Sequence, residues 1–97
     1  MILSFRDHGS EDVYHGRSTA KARKKCPQRL WGVAQRELDH LDRAMVLEDL
    51  SAPPGNKLER LTRDRRGQHS VRINDQYRIC FVWTADGPAD VEIVDYH

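Results

Sequence analysis

The chain has no apolar run approaching the roughly 20 residues needed to cross a bilayer. Its opening, Met1-Ile2-Leu3-Ser4-Phe5-Arg6-Asp7, also lacks the apolar central segment of a secretory signal. Neither a membrane span nor an export signal is expected, and the expected compartment is the cytoplasm. Cysteine is scarce. Cys26 and Cys80 lie far apart in sequence, and Cys80 sits inside an apolar run where a free thiol packs as a small hydrophobe, so both are expected to be reduced. Asp90, Glu92 and Asp95 have no His or Cys at ligand spacing, and strand alternation separates Asp95 from the other two, so a metal site is not expected. Repeats and low-complexity tracts are missing as well. With 97 residues, the chain has room for one small domain around a single modest core.

Acidic residues are absent from whole segments, which the formal net charge of +1 conceals. Between Tyr14 and Arg36 lie Arg17, Lys21, Arg23, Lys24, Lys25, Arg29 and Arg36 with no carboxylate among them. From Lys57 to Arg78 the basic residues Lys57, Arg60, Arg63, Arg65, Arg66, Arg72 and Arg78 outnumber Glu59, Asp64 and Asp75. After Arg78 everything is acidic or neutral apart from His97. Grouped positive charge of this kind suits a face that binds a polyanion. The basic stretch from Arg17 to Lys25 is equally compatible with a solvated tail.

The local patterns give an α+β plan. Met1 to Phe5 reads as a short strand, followed by a weak helix opening at Ser10 or Glu11 and running through Val13 and Tyr14. Gly16 to Lys25 has so little apolar content that it reads as a basic loop or a frayed helix end. Pro27 suits a first helical turn, and Leu30, Ala34, Leu38, Leu41 and Met45 then recur at helical spacing, with Trp31 and Val33 flanking the stripe. A further turn from Val46 to Leu50 runs into the breaker Ser51-Ala52-Pro53-Pro54-Gly55-Asn56. Beyond it the period changes to two. After an alternating stretch from Lys57 to Leu61 and a charged turn, strands are expected at Ser70 to Ile73, Tyr77 to Trp83 and Ala89 to Tyr96. They are joined by Asn74-Asp75-Gln76 and Ala85-Asp86-Gly87-Pro88, turns short enough to make them antiparallel neighbours. Helices then cover one face of the sheet.

Strand parity sorts the residues able to do chemistry. Arg78 and Cys80 share one face of their strand, opposite Tyr77, Ile79, Phe81 and Trp83, and Ser70 pairs similarly with Arg72. Arg72 and Arg78 then meet across the turn, a pair of guanidinium forks suited to a phosphate. In the last strand Asp95 and His97 share a side with Val91 and Ile93, while Tyr96 points the other way. Either that strand bends at its end, or these side chains sit in a cleft at the sheet rim. Tyr77, Phe81 and Trp83 at period two read as core rather than as a base-stacking platform.

One string is specific. Arg66-Gly67-Gln68-His69-Ser70-Val71-Arg72-Ile73-Asn74-Asp75-Gln76-Tyr77-Arg78-Ile79, with the terminal Val91-Glu92-Ile93-Val94-Asp95-Tyr96-His97, the opening Met1 to Phe5 and the Leu38 to Leu50 stretch ending at Pro53-Pro54-Gly55-Asn56, resembles the HigB-type killer toxins of the RelE/ParE superfamily. The resemblance runs nearly end to end. It implies one toxin domain over residues 1–97, a RelE-like microbial RNase fold, and cleavage of messenger RNA in the ribosomal A site without metal or cofactor. It matches Arg78 to the arginine that contacts the scissile phosphate, and Asp95, Tyr96 and His97 to the terminal acid, phenol and imidazole. It also implies a helix-turn-helix antitoxin of the HigA type as partner, with DNA reached only through that antitoxin. The chain departs from relatives that carry a His-Pro-Leu-Lys segment, having Glu59-Arg60-Leu61-Thr62 instead. Lys57, Arg60, Arg65 and Arg66 are the candidates for the missing positive charge and for contact with RNA or the ribosome.

A chemical step consistent with these residues is attack of a 2′-hydroxyl on its own adjacent phosphate. Asp95 or His97 would act as base, His97 or Tyr96 would aid the leaving oxygen, and Arg78 with Arg72 would stabilise the charged phosphoryl group. Two rivals remain open at this level. One is a non-enzymatic toxin that binds DNA gyrase, which needs no acid-base residues. The other is a weakly active or inert homologue that works mainly as the antitoxin's co-regulator.

Overall fold

The computed structural model describes residues 1–95, so the expectations placed on Tyr96 and His97 fall outside the described residues. Three helices, α1 (His8–Tyr14), α2 (Ala20–Lys25) and α3 (Trp31–Arg43), precede four strands, β1 (Glu59–Arg60), β2 (His69–Arg72), β3 (Tyr77–Thr84) and β4 (Gly87–Asp95). The strands form one antiparallel sheet in the order β1-β2-β3-β4. The α+β plan read from the sequence is the fold observed. Among the described residues no helix is long and apolar enough to cross a membrane.

Helix α3 contributes Trp31, Ala34, Leu38 and Leu41 to the core, where they meet Val71, Tyr77, Ile79, Phe81, Val91 and Ile93 from the sheet. Pro27 opens the segment as expected, but through a 3₁₀ turn (Gln28–Leu30) ahead of the α-helix. The Trp31 indole N–H donates to the Cys26 carbonyl at 2.9 Å, which lets the ring be buried rather than flank the stripe. Met45 departs from expectation. The helix stops at Arg43, Ala44 turns extended, and Met45 is 85% exposed.

The stretch expected to be a basic loop or frayed end contains α2. Thr19 caps it, its hydroxyl accepting from the Ala22 N–H at 3.1 Å while donating to Asp12 at 2.8 Å, and Arg23, Lys24 and Lys25 sit in the last turn where the helix dipole favours cations. The expected N-terminal strand is reduced to a strap along the outer edge of β4. It makes one parallel bridge, Phe5 to Val91, with Leu3 N–H donating to Pro88 and Val91 N–H to Ser4. Asp90, at φ 51°, breaks the regular edge there, so a longer ladder does not form.

Two turns set the register of the sheet's functional end. Asn74 Oδ1 accepts from the N–H groups of Gln76 and Tyr77 at 2.9 and 2.7 Å, an Asx turn that brings β3 back beside β2. At the other end Gly87 has φ 133°, and a Cβ there would lie 2.4 Å from the Met1 carbonyl oxygen, so only glycine fits.

Candidate functional site

The register places Arg72 opposite Arg78, and Ser70 opposite Cys80, with Glu59 beside Ser70 and Glu92 beside Cys80. Directly opposed residues share a face, so this row occupies the side of the sheet away from Ile79, Phe81 and Ile93. Arg78 is only 8% exposed and is held at several points. Its Nε donates to Ser70 Oγ at 2.7 Å, and Nη2 donates to the Lys57 carbonyl at 2.6 Å and to the Ser70 carbonyl at 3.4 Å. Glu59 Oε1 lies 3.7 Å from Nη2. Fixed acceptors along one edge orient the guanidinium before any ligand arrives.

The Lys57 carbonyl reaches Arg78 because of the breaker before it. Asn56 is buried, its amide donating to the carbonyls of Leu50 and Ala52 and lying 3.2 Å from His40 Nδ1. The 3₁₀ turn Pro54–Asn56 then ends on Lys57 in the left-handed region, φ 46° and ψ 59°. A non-glycine residue there carries a cost of about 1 kcal/mol or more, offset here by a charged hydrogen bond in a nearly buried setting.

Arg72 is bonded to Asp75 at the turn tip. The hydrogen bond and charge of Arg72, with Lys57 farther off, hold the Asp75 carboxyl below the usual carboxylate range. Arg65 joins the same face from the turn after β1, donating to Gln68 at 3.1 Å and to Glu92 at 3.2 Å. Glu92 also lies 3.6 Å from Lys25 Nζ and 3.9 Å from Arg6 Nε. Among the described residues no group of His, Cys, Asp or Glu side chains is gathered as a metal site would require. Cys80 lies beneath these arginines, and burial pushes its thiol up despite them, keeping it protonated and unreactive.

The structure therefore brings together Lys57, Arg65, Arg72 and Arg78. It does not bring Arg60 or Arg66 to them. Arg60 opposes His69 on the other side of the pleat, and Arg66 lines a groove with His69. Asp95 pairs with Tyr77 and follows the core-facing parity of Val91 and Ile93, yet it is exposed because the core has ended at this rim. The Gln76 amide donates to it at 3.2 Å. Register continues unbroken through Ile93 to Asp95, so the strand carries Asp95 to the sheet rim with no bend up to that residue. Tyr96 and His97 lie outside the described residues. Ser70, the buried oxygen that orients Arg78, and Glu92, which gathers three cations, were not singled out as site residues. The signal for Ser70 was its parity with Arg72.

Comparison with known proteins places the chain in a family. Residues 3–97 fit the model of the HigB-like toxin, described as the RelE-like toxin of the type II toxin-antitoxin system HigB. The chain belongs to the HigB-like toxin family. It is 36% identical over 97 residues to Toxin HigB-1 of Vibrio cholerae, an alignment that covers all of this chain and 98% of that protein. It is also 32% identical over 77 residues to an uncharacterised protein of Haemophilus influenzae, covering 78% and 76% of the two chains. Among solved structures this toxin superposes on the YoeB–YefM complex from Staphylococcus aureus with a TM-score of 0.62, at 16% identity, over 100% of its own length and 98% of that chain. That likeness shows the RelE-like fold.

Proposed function

We propose that this toxin, acting as one domain over residues 1–97 in the cytoplasm, is a ribosome-dependent endoribonuclease that cuts messenger RNA and so stops translation and growth. The observation that carries the reading is the opposed pair Arg72 and Arg78, set on one sheet face with Lys57 beside them and Arg78 already oriented by Ser70 and the Lys57 carbonyl. Such a cluster suits a phosphate whose charge grows during reaction.

In the proposed step the 2′-oxygen of one nucleotide attacks its own 3′-phosphorus while Asp95 or His97 takes the hydroxyl proton. The bond from phosphorus to the 5′-oxygen breaks, and that oxygen receives a proton from His97 or Tyr96. The products are a 2′,3′-cyclic phosphate and a 5′-hydroxyl, and no metal or cofactor takes part. Arg78 and Arg72 stabilise the phosphoryl oxygens, a contribution on the order of 10²-fold for one donor. The structural neighbour is a two-protein complex, YoeB–YefM, and the family model describes a toxin of a type II toxin-antitoxin system. By extension this chain is neutralised by an antitoxin, of the helix-turn-helix HigA type that the sequence resemblance implies.

The test is primer extension on messenger RNA from cells briefly expressing the wild-type chain, Arg78→Ala, or a chain lacking His97, with circular dichroism to check that each variant folds. Discrete cuts inside translated codons, lost in both folded variants, are expected. Intact messenger RNA in growth-arrested cells would overturn the reading in favour of a binding target such as gyrase.

A further inference from the structure

A groove of about 610 Å³ opens where β1, the turn at 62–67 and the start of β2 meet, next to His69 and so on the side of the pleat away from Arg78. Its size falls within the range of small-ligand sites, which run from about 300 to 1,000 Å³. Its inner lining is apolar and flat. Leu61 is 5% exposed, and the His69 ring stacks on the buried Phe81 with centroids 6.2 Å apart and planes 23° apart. Arg60, Arg63 and Arg66 also line it, and no lining residue is acidic. Arg63 at φ 57° and Gly67 at φ 92° give the turn that carries two of these arginines its tight, unusual path.

Charge distinguishes this groove from the Arg78 face. There, Arg65, Arg72 and Arg78 each have a carboxylate within 4 Å, namely Glu92, Asp75 and Glu59. Among the described residues Arg60, Arg63 and Arg66 have no such partner. His69 adds no charge of its own, because burial, and then Arg60, hold its pKa below the usual imidazole value. Its Nδ1 is buried with no hydrogen-bond partner among the described residues. The groove thus joins a neutral aromatic surface to three unopposed guanidiniums.

We propose that this groove is a second nucleotide site. A nucleoside monophosphate unit, free or within an RNA strand, stacks its base on His69 and sets its phosphate against Arg63 and Arg66. Aromatic side chains take any base by its π-face, and guanidiniums take phosphate in a forked geometry. An acidic peptide would use the cations and leave the stacking surface empty. The site needs no bond to be broken, so its test stands apart from the cleavage reaction.

The test is an NMR titration of the full chain, following the His69 ring protons and the Gly67 amide. The probes are adenosine 5′-monophosphate, a 2′-O-methyl hexanucleotide that cannot undergo 2′-hydroxyl attack, inorganic phosphate and polyglutamate. Upfield shifts of the His69 ring with the nucleotide are expected, and Arg63→Ala with Arg66→Ala should weaken binding on the order of tenfold or more. His69→Phe should retain binding and His69→Leu should lose it, which separates stacking from a merely structural role. A hexanucleotide that binds more than tenfold tighter than the mononucleotide identifies RNA as the source, and equal affinity identifies a free nucleotide. The proposal is overturned if polyglutamate or phosphate alone moves the same signals with the same midpoint, or if millimolar nucleotide leaves His69 unmoved.

Discussion

Replacing Ser70 by alanine tests whether the orientation of Arg78 is built into the fold. Ser70 is fully buried and its Oγ accepts the Arg78 Nε hydrogen at 2.7 Å, while Arg78 itself is 8% exposed. With so little access, water cannot readily replace the lost oxygen, and a guanidinium N–H is left without its partner. Hydrogen bonds to charged groups contribute about 1.5–3 kcal/mol, so Ser70→Ala should cost about 2 kcal/mol. For a domain of this size, 1 kcal/mol corresponds to about 4–8 °C, giving a drop in Tm of roughly 8–16 °C by calorimetry. Arg72→Ala is the internal control. Its partner Asp75 has a side chain 97% exposed, so solvent screens the pair and its loss should move the melting point little. If Ser70→Ala melts within about 3 °C of the parent, or no lower than Arg72→Ala, Arg78 is not held by this bond and the argument for a preset guanidinium fails.

Three further outcomes follow from particular contacts. Gly9→Ala should destabilise by about 1–3 kcal/mol in urea unfolding, because the new Cβ would lie 2.6 Å from the Lys21 carbonyl oxygen and 2.5 Å from Lys25 Cγ, forcing α1 away from α2; an unchanged midpoint would refute that packing. Glu37→Met should stabilise by about 1 kcal/mol, since Glu37 Oε2 is buried with no partner among the described residues and burial raises its carboxyl pKa, so that the ionised form works against the fold at neutral pH; a lower urea midpoint would show that the carboxylate is stabilised after all. His69 gives a pH dependence. Its pKa is depressed in the fold, so the unfolded chain takes up a proton first as pH falls below about 6.5, and this contribution to stability, present above that value, is lost as pH drops through the lower native pKa. Stability at pH 5 relative to pH 8 should therefore fall less in His69→Phe than in the parent, and equal falls would exclude His69 as the cause.

The β half of the fold was legible because its determinants are local. Period-two alternation and the side chain of Asn74 suffice to place β2 against β3, and parity then puts Arg72 opposite Arg78. The helical half was harder to read where stability comes from single distant contacts. Helix α2 buries only Ala22, and the Thr19 hydroxyl that caps it is anchored to Asp12, seven residues back. No apolar stripe announces such a helix. Met45 fits the α3 stripe in sequence, but the stripe outruns the helix, whose end is fixed by the extended turn at Ala44.

The basic residues show why counting charge locates a binding region without dividing it. Between Arg60 and Arg66 four arginines fall within seven positions, and sequence adjacency treats them alike. The backbone does not. Arg60 follows the pleat to the side of His69, and the turn at 62–67, with Arg63 left-handed, places Arg63 and Arg66 along the groove while sending Arg65 toward Glu92. Sidedness in a turn depends on dihedral angles that a non-glycine residue rarely adopts, so pattern alone does not assign it. Two cationic groups result: one balanced by carboxylates around Arg78, the other unopposed beside an aromatic surface. A ligand at the first must displace or tolerate Asp75, Glu59 and Glu92. At the second, the phosphate meets no competing carboxylate from the lining residues, so the groove is the place where weak, sequence-tolerant attraction to a nucleotide costs least.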